Sequence, residues 1–186
     1  MTDIAMITAA ADRLKGHARR TPLLSSPFLD EIAGRRVLVK PEALQHTGSF
    51  KFRGGWSAVS ALDPDTRARG VIAFSSGNHA QGVAYAAKLH GVPAVIIMPA
   101  DAPQMKIDNT RALGAEVVLV DQCPGSNPGE VSGDDLALVE RETARLAASR
   151  DAFRADQFTH PGNRNAHYFG TAPEIWAQSD GAISAF

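Results

Sequence analysis

The chain has 186 residues, 44% of them hydrophobic, with 19 basic and 20 acidic side chains. That length accommodates one ordinary domain, or one domain and part of another, and the near balance of charge singles out neither nucleic acid nor an acidic membrane as a partner. The single cysteine, Cys123, excludes an internal disulfide and a cysteine-cluster metal site, and no apolar run approaches membrane-spanning length.

Met1 to Ala11 lacks the charge-then-apolar order of a secretory signal, so a cytoplasmic protein is the default expectation. Thr8 to Arg20 reads as a short helix with a basic end. Pro22 biases Thr21 toward extended geometry, Gly34 ends the next helical stretch, and Arg36 to Lys40 predicts a strand stopped by Pro41. The stretch Gln45-His46-Thr47-Gly48-Ser49-Phe50-Lys51-Phe52-Arg53-Gly54-Gly55 then predicts a turn leading into a helix, with Ser49 as N-cap and Lys51 in the first turn. Unpaired N–H groups and the positive end of the helix dipole disfavour an ordinary lysine there. The same setting suits an amine linked as an imine to a phosphate-bearing aldehyde, because those N–H groups attract phosphate. Taken alone, the lysine reads as a surface residue. Phe52 to Leu62 continues the helix with Trp56, Val59 and Leu62 on a buried face. Gly54 and Gly55 weaken that helix and point either to close packing or to room for a cofactor.

From Gly70 the pattern becomes βα alternation. Val71–Phe74, Val92–Met98 and Glu116–Val120 predict strands, and His79–Leu89 and Pro103–Leu113 predict helices between them. Ser75 to Asn78 forms a polar turn at the end of the first of these strands. Such alternation predicts a parallel sheet covered on both faces, with right-handed connections. Asp121 to Gly133 is rich in proline and glycine and predicts a long loop. Asp134 to Arg150 predicts a helix with Leu136, Val139 and Leu146 inward. Asp156-Gln157-Phe158 reads as a short strand or a buried turn, and His160 to Asn165 as a loop. A helix follows from about Ala166 or Thr171 to Gln178, because Pro173 interrupts its start. Ile183 to Phe186 reads as the opening of another strand. The remaining histidines form no spaced metal pattern, and dinucleotide and hydrolase-elbow motifs are absent.

Thr47-Gly48-Ser49-Phe50-Lys51-Phe52-Arg53-Gly54 together with Ser75-Ser76-Gly77-Asn78-His79 resembles the serine/threonine dehydratase group of fold type II pyridoxal-phosphate enzymes, which has serine racemases and hydroxyamino-acid ammonia-lyases as relatives. After about residue 155, Gln157-Phe158-Thr159-His160-Pro161-Gly162-Asn163 and Thr171-Ala172-Pro173-Glu174-Ile175-Trp176 look more like cysteine synthase, so the chain resembles two branches joined near Asp121. The resemblance implies an α/β, tryptophan synthase beta-like fold with an incomplete large domain. Residues 1–62 would begin that large cofactor domain, 63–151 build a small α/β domain, and 152–186 return to the large one. The family continues well past the position of Phe186, with a glycine-rich phosphate cup, so the chain reads as C-terminally truncated.

The resemblance also implies residue roles. Lys51 would link to pyridoxal 5'-phosphate and, once released, act as general base at the substrate Cα. Phe50 would pack by the cofactor ring or, equally well, serve as a core aromatic, and Asn78 would donate to the cofactor's phenolic oxygen. Ser75, Ser76, Gly77 and His79 would bind the substrate carboxylate, and Ser76 would serve the opposite face of Cα in a racemase. Arg53 reads either as a carboxylate or phosphate partner or as a structural residue. The implied activity is an L-serine/L-threonine ammonia-lyase acting on a small amino acid. The alternatives are cysteine synthase-like β-replacement on O-acetylserine and an inactive fragment with an interaction role. Homodimers are common among such relatives.

Overall fold

The computed structural model describes residues 9, 12–125, 129 and 132–186. Four parallel strands form the main sheet: β3 (Val71–Phe74), β4 (Ala94–Pro99), β5 (Glu116–Val120) and β6 (Phe153–Arg154), in the spatial order β5-β4-β3-β6. A two-stranded antiparallel ribbon, β1 (Leu24–Ser25) with β2 (Leu38–Val39), precedes it and flanks α1 (Pro27–Ala33). Helix α1 ends at Gly34, whose φ of 63° is left-handed.

The strand period of two sorts the core. Val71 and Ala73 of β3, with Ile96 and Met98 of β4, face α2 (Lys51–Ser60) and α4 (Asn78–His90). Ile72, Val95 and Ile97 point to the other face, where Val139 and Leu146 of α6 (Gly133–Arg150) cover them. Two short helices complete the alternation, α3 (Pro64–Arg69) before β3 and α5 (Gln104–Ala112) before β5. Ile72, Ile96 and Ile97 are fully buried, each contributing about 1.5–3 kcal/mol of transfer free energy.

Helices α2 and α4 approach through glycine. A Cβ added to Gly55 would lie 2.8 Å from the backbone carbonyl of Gly82, and one added to Gly82 would lie 2.8 Å from that of Lys51. Close packing is therefore the reason for Gly55. Gly54 serves the same end toward another element, because a Cβ there would collide with the Asn163 side chain.

Several expectations need correction. Ser49 is not the N-cap of α2: Phe50 holds that position without a side-chain cap, and the Ser49 hydroxyl lies 3.4 Å from the Lys51 N–H. The first predicted helix is described only at residues 9 and 12–14 before a turn begins, and Thr8 lies outside the described residues. The predicted strand Arg36–Lys40 pairs only at Leu38 and Val39. The predicted loop Asp121–Gly133 gives way to α6 at Gly133, and residues 126–128, 130 and 131 lie outside those described. Leu136 is 46% exposed, while Thr143 takes an inner position by returning its hydroxyl to the Val139 carbonyl at 2.7 Å.

Sheet pairing occurs at Phe153 and Arg154, ahead of Asp156, and residues 157–159 form a turn with Phe158 82% exposed. The predicted loop at His160–Asn165 is helix α7 (Pro161–Ala166), because proline fits the first helical position, where no N–H is required. A π-type turn at His167–Thr171 joins it to α8 (Ala172–Gln178). Pro173 has no N–H for the regular ladder, and the wider turn sits just ahead of it. Ile183 to Phe186 forms no strand, and among the described residues no strand is hydrogen-bonded to it.

Candidate active site

Lys51 is the first residue of α2 and Asn78 the first of α4. Gly55 packs on the Gly82 backbone and Gly82 on that of Lys51, so the helices cross within about one turn of both N-termini. The loop entering α2 is strained: Thr47, a β-branched residue, has φ 60°, and Gly48 follows at φ 69°. Gln45 anchors that loop, with its amide donating to the Arg19 carbonyl at 2.8 Å and accepting from Arg19 N at 3.0 Å.

The Lys51 amine donates to Gln157 Oε1 at 2.9 Å and lies 5.0 Å from the centroid of the Phe50 ring. Among the described residues no carboxylate forms an ion pair with it. Burial lowers its pKa from the ordinary lysine value. Phe50 is not a core aromatic. It is 43% exposed, and the His167 ring meets it edge-on at 5.2 Å.

His79 is buried, and its Nε2–H donates to the Ala155 carbonyl at 3.0 Å. Burial holds its pKa below the ordinary histidine value. The Ala155 carbonyl opposes that shift, and the charge on Lys51 adds to it. The ring is therefore neutral at pH 7, with Nδ1 as a buried acceptor that has no hydrogen-bond partner among the described residues. The backbone N–H groups at the start of α4 remain as the donors from this residue and its neighbours. Ser75 is buried at the end of β3, and its hydroxyl accepts from the Gly77 N–H at 3.1 Å. Ser76 and Gly77 are half-buried, and nothing lies within 4 Å of a Cβ added to Gly77, so the turn faces open space. Asn78 is exposed, and its Oδ1 accepts from Lys106 Nζ at 3.0 Å.

Gln157 and Asn163 are functional candidates that the motifs did not bring forward. Asn163 Nδ2 donates to the Gln157 carbonyl at 2.6 Å, and Gln157 in turn receives Lys51. The small side of Gly54 gives Asn163 its place. Gln157 also lines a cavity of about 470 Å³ with Phe74, Leu136 and Phe158. Both residues stood in the string similar to cysteine synthase, which was the available signal.

Arg53 proves structural. It is fully buried, donating to Glu42 at 2.8 Å, to Glu174 at 2.8 Å and to the Arg19 carbonyl at 3.0 Å. All of its nitrogens are engaged, so the guanidinium is not offered to a ligand. Burial alone would lower its pKa, and the two carboxylates reverse that and raise it. Glu42 follows the same logic: burial raises its pKa, but hydrogen bonds from Arg53 and Thr21 bring it below the usual carboxylate value.

These residues suit a covalently held aldehyde cofactor. The amine is partly desolvated and rests on a neutral amide, the buried His79 ring with its acceptor nitrogen lies within electrostatic reach of it, and the polar turn entering α4 is open. Among the described residues no cluster has the composition of a metal site, and no helix is long and apolar enough to cross a membrane.

A family model described as "Pyridoxal-phosphate dependent enzyme" matches residues 14–186, and the chain belongs to that family. It is 53% identical over 116 residues to the L-threo-3-hydroxyaspartate ammonia-lyase of Pseudomonas sp, covering 62% of this chain and 36% of that protein. It is 36% identical over its whole length to the phenylserine dehydratase of Ralstonia pickettii, of which it covers 52%. The structure is similar to maize serine racemase, with a TM-score of 0.83, 30% identity, and coverage of 96% of this chain and 50% of that one. The fold is thus that of the fold type II pyridoxal-phosphate enzymes, and the chain spans about half the length, or less, of these relatives.

Proposed function

We propose that the chain carries the lysine side of the active site of a pyridoxal-phosphate-dependent L-serine/L-threonine ammonia-lyase, which converts a hydroxyamino acid to a 2-oxo acid and ammonia. The observation that carries this reading is the Lys51 amine, partly buried and held at 2.9 Å by the neutral Gln157 amide rather than by a carboxylate. Two of the relatives named above are a lyase and a dehydratase of β-hydroxyamino acids, which supports the same reading.

When bound, the cofactor supplies the electron withdrawal that acidifies the substrate Cα. Lys51 would hold the cofactor and then take the Cα proton, a task for which a lowered amine pKa is suited. The backbone N–H groups of Ser76 and His79, with the Ser75 and Ser76 hydroxyls, would bind the substrate carboxylate at the start of α4, and Gly77, its N–H held by the Ser75 hydroxyl, would let the carboxylate approach the turn closely. Asn78 would donate to the phenolic oxygen, and Phe50 would flank the ring. The cleft would lie between residues 63–151 on one side and residues 1–62 with 152–186 on the other.

β-Replacement is the second reading. The two residues that brace Lys51, Gln157 and Asn163, come from the segment similar to cysteine synthase. Absorbance titration with pyridoxal 5'-phosphate separates the outcomes. A band in the wild-type chain that is lost in Lys51→Ala is expected. No band, or one that survives the substitution, overturns both readings. With the band present, 2-oxo acid release from serine or threonine supports elimination, and sulfide-dependent cysteine formation from O-acetylserine supports replacement instead.

A further inference from the structure

We infer that Lys106 is a positioning residue for this site: it fixes which end of the Asn78 amide faces the cleft. The inference rests on the reading just proposed, in which Asn78 donates to the phenolic oxygen of the cofactor.

Lys106 lies in α5, and its ammonium reaches the first residue of α4, with Nζ 3.0 Å from Asn78 Oδ1. An asparagine side chain has an acceptor end and a donor end of nearly the same shape. An ammonium has three donors and no acceptor. Only the oxygen of Asn78 can therefore meet Lys106, and the amide rotor is decided by chemistry. The Nδ2 group is turned away from Lys106. A free rotor would spend part of its time presenting oxygen, which repels an anionic phenolate. The positive charge beside Oδ1 also polarises the amide and makes its N–H groups stronger donors.

The anchoring of the two residues is asymmetric. Asn78 is exposed at the first position of a helix, and its side-chain oxygen is held by Lys106. Lys106 sits in the first turn of α5, its N–H held by the Pro103 carbonyl at 2.8 Å and its carbonyl receiving the buried Thr110 hydroxyl at 2.8 Å. The backbone under the lysine is thus fixed, and the asparagine takes its orientation from the lysine.

The test is pyridoxal 5'-phosphate titration of wild type, Lys106→Met, Lys106→Arg, Asn78→Ala and the double variant Lys106→Met/Asn78→Ala. Affinity and the position of the Lys51-dependent absorbance band are read, with melting temperature as the fold control. Lys106→Met is expected to weaken cofactor affinity by about three- to tenfold, the scale of one hydrogen bond of modest strength. It is also expected to move the band, while melting without the cofactor stays unchanged. Lys106→Arg restores both. In the Asn78→Ala background the lysine substitution adds nothing, because the two residues act through one amide. If wild type shows the band and Lys106→Met leaves affinity and band position unchanged, or if the two substitutions add independently, the inference is overturned while the proposed function stands. If wild type gives no Lys51-dependent band, both fall.

Discussion

The Lys51 amine meets the Gln157 amide oxygen at 2.9 Å across a separation of 106 residues. Two segments with different family likenesses thus share one amine. The acceptor is neutral, which leaves burial free to lower the amine's pKa. The uncharged fraction of Lys51 therefore exceeds that of an ordinary lysine at any pH below about 10.4. Gln157→Glu should reverse the sign, because an opposite charge at hydrogen-bond distance favours the ammonium. Amine labelling at Lys51, followed by mass spectrometry against pH, should show a midpoint below the ordinary value in wild type and a higher one in Gln157→Glu.

The glycines of α2 separate fold from site. Gly55→Ala gains helix propensity of about 1 kcal/mol, yet its Cβ would sit 2.8 Å from backbone atoms of Gly82, which do not move cheaply. Overpacking should win, with a net loss of about 1–2 kcal/mol in denaturant unfolding. Gly82→Ala should cost a similar amount for the same contact. Gly54→Ala meets a side chain rather than a backbone, so its effect should appear at the site instead. Displacing Asn163 disturbs Gln157 and hence Lys51, and the labelling midpoint of Lys51 should shift.

Breaking the buried charge cluster should be costly. Glu174→Ala leaves Arg53 buried with Glu42 as its remaining carboxylate partner, and takes away the acceptor that Lys40 meets at 2.7 Å. Removing one partner of a buried ion pair costs about 3–5 kcal/mol, and the lower part of that range is expected because Glu42 stays in place. Chemical denaturation reads the loss. Acid tests the same cluster. The folded pKa of Glu42 lies below its ordinary value of about 4.3. Its contribution is thus fully present above that value and is lost as pH falls through the lower folded pKa.

A second pH effect appears nearer neutrality. His46, His79, His90, His160 and His167 all have pKa values lowered primarily by burial. Below their ordinary value of about 6.5 the unfolded chain binds more protons than the folded one. Stability should therefore fall as pH drops from about 7 toward 5, before the acidic cluster is reached. Melting temperatures across that range check the sign. A flat profile would contradict the burial of these rings.

Strands β3 and β5 were legible to the residue, because Gly70 and the polar Ser75 turn bound one apolar run and Gly114 and Asp121 flank the other. The Pro161 helix was misread because proline marks both loops and first helical turns. Ile183–Phe186 has the composition of a strand, but a strand also needs a hydrogen-bonded neighbour, and composition does not supply one. The two motifs announced Lys51 and the turn beside it. They were silent on Gln157 and on the pairing of Arg53 with Glu174, because those contacts span 106 and 121 residues and leave no local periodicity. Lys106 was hidden for the same reason: helical spacing places it on a surface, and only the packing of α5 beside α4 brings it to Asn78.

The order of strands in the main sheet bears on how the protein is made. β3 sits between β4 and β6, and its partner on the β6 side is separated from it by β4, β5 and the whole of α6. On a ribosome adding about 5–20 residues per second, the β6-facing edge of β3 waits several seconds for Phe153 and Arg154 to emerge. During that interval the nascent chain exposes a bare Val71–Ile72 edge, a natural point for a chaperone to engage.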